Sequence, residues 1–129
     1  MTARRDQTTR PSPAAAIAAF LRALGHDPDR EPELAETGRR VSDAFIDELC
    51  KGEREDPATP LRANRIAASG REDLVLVKDV PIATVCPHHL MPATGFASVA
   101  FQPKASIVGI GAIGDVIEIL SRRLSLQET

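Results

Sequence analysis

The sequence has no tryptophan and no tyrosine, and only four phenylalanines in 129 residues. Modules that bind single-stranded nucleic acid stack bases on aromatic side chains, so this poverty argues against that class. Positive charge is not in excess either. The formal net charge is −2, which offers no basic field to DNA or to anionic lipid. Two cysteines in the whole chain do not make a disulfide framework, so a reducing compartment, the cytoplasm, is the expectation. No apolar run approaches the roughly 20 residues that a membrane-spanning helix needs. Neither nucleic acid nor a membrane is an expected partner. Arg4, Arg5 and Arg10 ahead of Ala14–Leu21 imitate a signal peptide faintly. Ser12 as a cap, Pro13 in a first turn and Arg22 directly after the apolar run favour a helix instead.

A hydrophobic content of 43% is enough for a core, and the length suits one domain or part of one. Residues 1–11 are polar and expected to be a disordered tail. Residues 12–72 form a helical region. A first helix runs from about Pro13 to Leu24, with Ile17, Phe20, Leu21 and Leu24 on one face and Gly25 ending it. His26 falls in the turn that follows and reads as a surface residue. In a second helix Thr37 is the expected N-cap, Val41, Phe45 and Leu49 the stripe, and Gly52 the C-cap. Cys50 sits at the end of that stripe and reads as a small buried hydrophobe. Residues 53–72, broken by Pro57, Pro60 and Gly70, read as irregular.

From residue 73 to 129 the pattern changes to strand. Leu74–Val77 and then Val80, Ile82 and Val85 predict one strand, with Pro81 at an edge or a bulge. Gly95–Phe101 predicts its antiparallel neighbour. Ile107–Ile110 predicts a short third strand. A helix is expected from Asp115, which pairs with Glu118 as a capping box, and Val116, Ile119, Leu120 and Leu124 are its expected buried face. The fold class is α+β. So few strands make a thin sheet, and the chain is expected to be incomplete or to depend on partner subunits.

Between the two long strands lies Val85-Cys86-Pro87-His88-His89-Leu90-Met91-Pro92, with two of the three histidines and one of the two cysteines. Cys86 and His89 are three apart, a spacing at which a thiolate and an imidazole reach one metal ion from a turn. Spacing alone is a moderate signal, because zinc sites use three or four protein ligands.

The neighbourhood is more specific. Thr84-Val85-Cys86-Pro87-His88-His89-Leu90-Met91-Pro92, then Gly95, Val99-Ala100-Phe101, Pro103, Ile107-Val108-Gly109-Ile110 and Arg122-Arg123-Leu124-Ser125-Leu126-Gln127-Glu128 resemble the GTP cyclohydrolase I family in order and spacing. Leu24–Pro28, Thr37–Val41 and Leu76–Asp79 extend the resemblance upstream. It implies a partial tunnelling fold in residues 73–129: an antiparallel sheet with a helix on one face, assembled into a homo-oligomeric ring. It implies opening of the imidazole ring of GTP, release of formate and formation of dihydroneopterin triphosphate, the entry to folate and pterin synthesis. Zinc supplies the activated water in that reaction. By the same resemblance Cys86 and His89 match zinc ligands, and His88 matches an acid/base residue. Glu128, with Gln127 beside it, matches the carboxylate that reads the guanine edge by accepting from N1–H and the exocyclic amine.

The chain departs from the family's pattern at several positions. Pro87 stands where the family has Glu, Gly111-Ala112 where it has Ser-Lys, and Asp115 where it has an Arg that meets the triphosphate. The family's third zinc ligand belongs to a Cys-x-x-x-Arg-Gly segment that is not among these residues. Three readings stay open: a GTP cyclohydrolase I active in a longer form or with complementary subunits, a diverged binder of a purine or pterin, and an inactive oligomer subunit.

Overall fold

A computed structural model describes residues 10–69 and 73–126. The chain divides into two compact units, Met1–Ile46 and Asp47–Thr129. Together the described residues form an α+β fold. N-terminal helices come first, then antiparallel strand pairs and a C-terminal helix, as a partial tunnelling fold requires. Among the described residues no helix is long and apolar enough to cross a membrane.

In the first unit α1 spans Pro13–Ala23. Ser12 Oγ accepts the Ala15 N–H at 3.2 Å and Pro13 occupies the first position, the local signals that start a helix. The end follows equally local rules. Gly25 takes φ +93°, its N–H donates to the Arg22 carbonyl, and the His26 N–H donates to that of Leu21. This is a Schellman closure, and glycine enters the left-handed region without steric cost. In the turn beyond, Glu31 accepts from the Asp27 N–H at 2.7 Å and lies 3.2 Å from His26 Nδ1. Both contacts hold its carboxyl below the usual carboxylate range, the backbone donor most.

The second helix, α2, spans Thr37–Asp43 and continues through a π-helical turn over Ala44–Leu49. Thr37 is its first helical residue and not its cap. Glu36 precedes it in helical conformation, with its carboxylate paired to Arg39. Gly38 is buried where α2 meets α1, and a Cβ there would lie 2.7 Å from the Ala14 carbonyl oxygen. Helix propensity alone would favour alanine by about 1 kcal/mol. The contact reverses the sign: Gly38→Ala is expected to destabilise this unit by about 1–3 kcal/mol in thermal or urea unfolding, because the obstructing atom is backbone.

The second unit starts with a 3₁₀ turn, Lys51–Arg54, followed by α3 over Ala58–Ala63 and β1 over Arg65–Ala67. The irregular reading is thus corrected for residues 53–67, and its part at residues 70–72 lies outside the described residues. Asp56 accepts the Ala58 N–H at 2.9 Å and pairs with Arg62. Pro57 and Pro60 fall before and within the first turn of α3, where a missing N–H costs nothing. Gly52 closes no helix; it lies in the 3₁₀ turn and is buried.

The next two strands form an antiparallel pair, β2 over Val75–Val85 and β3 over Pro92–Phe101. The register shifts between Val77 and Val80, with Asp79 at φ +58°. This is a bulge, and Pro81 lies just past it opposite Phe96. The short strand β4, Ser106–Val108, does not extend that sheet. It pairs with β1 instead, Ile107 opposite Ile66.

The C-terminal helix α4 spans Ile110–Ser121 and starts earlier than expected. Gly109 is extended at its N-cap position, so Ile110 begins the helix and Asp115 falls inside it. Its buried residues are Ala112, Ile117 and Ile119. Leu120 and Leu124 from the expected face are 49% and 46% exposed. The helix packs against β2, α3 and the Lys51–Arg54 turn, and its buried arc follows these neighbours. With Val77 and the fully buried Val85 these residues make a small core.

Candidate active-site turn

The Cys86–Met91 turn joins β2 to β3 and is closed by its own backbone. The Cys86 N–H donates to the Met91 carbonyl at 3.0 Å, and the Leu90 N–H donates to that of Cys86 at 2.8 Å. Leu90 takes φ +55°, a left-handed conformation that an L side chain adopts at a cost of about 1–2 kcal/mol. This folding brings the two histidines back over the cysteine. Cys86 Sγ lies 3.7 Å from His89 Nδ1 and 4.0 Å from His88 Nδ1. The imidazole centroids are 6.2 Å apart and nearly perpendicular, at 74°. Both imidazole side chains are exposed.

The sulfur sits in a cradle of donors. Hydrogen bonds from the His88 and His89 backbones hold the Cys86 thiol below its ordinary value, and the His88 ring adds to the effect. Cys50 is the opposite case. Partial burial, and then the charge of Glu53, push its thiol up. At neutral pH an alkylating reagent is therefore expected to modify Cys86 about tenfold faster than Cys50. Mass-spectrometric timing of the two modified peptides checks this, and equal rates would contradict it.

A tetrahedral zinc ion with bonds of about 2.3 Å to sulfur and about 2.0 Å to nitrogen sets those donors about 3.5 Å apart. The 3.7 Å between Cys86 Sγ and His89 Nδ1 matches that bite. These two residues fit as half of a zinc site. Among the described residues no group of three or more His, Cys, Asp or Glu side chains converges on one point.

One wall beside the turn comes from the end of the chain. The stretch after α4 runs parallel to the end of β2, with Leu124 bridging Val85. The Val85 N–H donates to the Arg123 carbonyl and the Ser125 N–H to that of Val85, both at 3.3 Å. Thr84 Oγ1 donates to the Arg123 carbonyl at 3.2 Å and lies 3.1 Å from Ser125 Oγ. The cleft so formed measures about 500 Å³ and includes Thr84, Cys86, His88, Phe96, Ser125 and Leu126 in its lining. The expectations for Gln127 and Glu128 lie outside the described residues.

Other sequence candidates are elsewhere. Asp115 lines a separate cleft with Lys51, Asp56 and Glu118, and Ala112 is buried in α4. Cys50 is half-buried before the Lys51 turn, and His26 bonds to Glu31 in the first unit. The polar pair Thr84 and Ser125 was not singled out by sequence. Thr84 sits inside the motif around Cys86, which was its available signal.

Residues 13–129 match the family described as GTP cyclohydrolase I. A GTP cyclohydrolase 1 from Brucella suis is 40% identical over 120 residues, covering 93% of this chain and 55% of that protein. Those from Brucella canis and Brucella abortus are each 41% identical over 115 residues, covering 89% of this chain and 53% of theirs. The chain spans about half the length of the curated relatives it matches. The match across nearly all of its residues, with the Cys86–His89 turn inside it, shows that this chain belongs to the GTP cyclohydrolase I family.

Proposed function

We propose that the chain serves as a zinc-dependent GTP cyclohydrolase I, opening the imidazole ring of GTP to give formate and dihydroneopterin triphosphate for folate and pterin synthesis in the cytoplasm. The observation that carries this reading is the 3.7 Å donor bite of Cys86 and His89, with Cys86 and His88 lining one cleft. Cys86 and His89 would hold zinc, which supplies water activation at neutral pH when bound. His88 is free to move a proton at its ring nitrogen while its neighbour is a ligand. Gln127 and Glu128 recognise the guanine edge, the carboxylate accepting from N1–H and the amine. The sheet leaves Leu76 and Phe96 exposed, at 55% and 74%. Apolar surface of that kind supports assembly into a homo-oligomer ring, whose neighbouring subunits would cover it.

The test is direct. Zinc-loaded protein incubated with GTP should release formate and a fluorescent pterin, and His88→Ala should lower the rate by about a hundredfold or more. Folded, zinc-loaded protein that yields neither product would refute the reading.

One observation favours a second reading. Where the family pattern places cations for the triphosphate, this chain has buried Ala112 and acidic Asp115. A site without those cations suits a purine or pterin carrying less negative charge, bound without ring opening. Calorimetry decides: guanosine or neopterin binding at least as tightly as GTP supports this alternative, and a strong GTP preference removes it.

A further inference from the structure

We propose that Glu53 is a positioning residue that holds the Arg123–Leu126 stretch against β2 and so shapes the cleft beside Cys86. The inference rests on the functional reading only for the identity of the ligand.

Alternate backbone groups of an extended stretch face opposite sides. The Arg123 carbonyl and the Ser125 N–H face β2 and bond to Val85. The Leu124 N–H between them faces the other way, where the described residues supply no strand. Glu53 fills that place, its Oε1 accepting the Leu124 N–H at 3.0 Å. The backbone around Glu53 reinforces the contact. The Gly52 N–H donates to the Arg122 carbonyl at 3.0 Å, and Arg123 Nη2 donates to the Glu55 carbonyl at 2.9 Å. The stretch is thus gripped from both sides, by β2 on one and by a carboxylate on the other. Ser125 and Leu126, which line the cleft with Cys86 and His88, belong to this stretch. A carboxylate suits the task because a charged acceptor makes a stronger bond to a backbone N–H than a neutral one. Glu53 touches neither the cleft nor the donors at Cys86, so its influence passes through Leu124.

Three full-chain variants, Glu53→Ala, Glu53→Gln and Glu53→Asp, test the assignment by amide hydrogen exchange and guanosine titration. Glu53→Ala should raise exchange across residues 123–126 about tenfold and leave the β2–β3 hairpin at its original rate. Glu53→Gln keeps an acceptor oxygen at the same reach and should recover most of the protection. Glu53→Asp is one methylene too short and should behave like alanine. If Glu53→Ala does not fold, the glutamine and aspartate variants carry the comparison. Guanosine affinity should fall about tenfold wherever exchange rises. Unchanged exchange in the alanine or aspartate variant, or a glutamine variant as loose as alanine, would overturn the proposal. So would raised exchange with unchanged affinity in a protein that binds guanosine. Should the unsubstituted chain bind no guanosine, the functional reading fails and the exchange pattern alone decides the role of Glu53.

Discussion

Gly52→Ala is expected to destabilise the Asp47–Thr129 unit by about 3 kcal/mol or more, near the top of what overpacking costs. A Cβ at this position would collide with the Ile119 carbonyl oxygen and lie 2.9 Å from that of Arg122. Both are main-chain atoms at the end of α4, so no side chain can rotate away. Relief requires the Lys51–Arg54 turn to back off from the helix. That movement would break the Gly52–Arg122 hydrogen bond at 3.0 Å and draw Glu53 away from Leu124. Gly111→Ala and Gly114→Ala are the controls. Both glycines lie in α4 with open space around an added Cβ. Alanine there should be neutral or stabilising by about 0.5–1 kcal/mol through helix propensity. Urea unfolding of the three variants gives the comparison. Unfolding of Gly52→Ala at the same midpoint as Gly114→Ala would contradict this close approach.

The second large effect concerns the metal. On the proposed reading, in which Cys86 and His89 hold a catalytic zinc, Cys86→Ser should weaken zinc binding by about a hundredfold or more, since the binding energy is shared among a few ligands and a serine hydroxyl is a poor substitute for a thiolate. His89→Ala should do the same. His88→Ala should leave zinc affinity within a few-fold, because the proposed reading makes His89, with its Nδ1 3.7 Å from the sulfur, the ligand and His88 the proton carrier. Competition with a coloured chelator reads the affinities, and circular dichroism confirms that each variant is folded. A His88 variant that loses zinc as completely as the His89 variant would exchange the roles assigned to the two histidines.

The parts of this fold that were legible in the sequence are those dictated by neighbours along the chain. Ser12 and Pro13 start α1 where a cap and a first-turn proline belong, and Gly25 ends it. The apolar run Leu74–Val77 with Val80, Ile82 and Val85, and the segment Gly95–Phe101, predicted two antiparallel neighbours with the Cys86 turn at their junction. Local pattern misleads where one residue serves two purposes. Pro57 and Pro60 read as breakers but open α3, because Asp56 supplies the acceptor that turns a break into a start. Gly109 and Ile110 read as strand, whereas the extended glycine ends β4 and begins α4 at once. Contacts across long separations left no local trace. Glu53 and Leu124 are 71 residues apart, and nothing around either one announces the other. In the site, Cys86, His88 and His89 were evident from spacing and motif, while Thr84 and Ser125, separated by 41 residues, needed the fold to bring them together.

Val85, fully buried, has a consequence for how the turn meets a ligand. Its Cα faces Pro92 of β3, while its N–H and carbonyl are committed to Arg123 and Ser125. Pro92 has no N–H to give, and a position opposite a residue whose own groups point the other way asks for none. Cys86 therefore hangs from a residue fixed on both sides. Ordering a free backbone costs roughly 1–2 kcal/mol per residue. At the base of this turn that entropy is lost when the chain folds, so an ion or substrate bound there as proposed would meet a preorganised backbone and its affinity would not be reduced by ordering it.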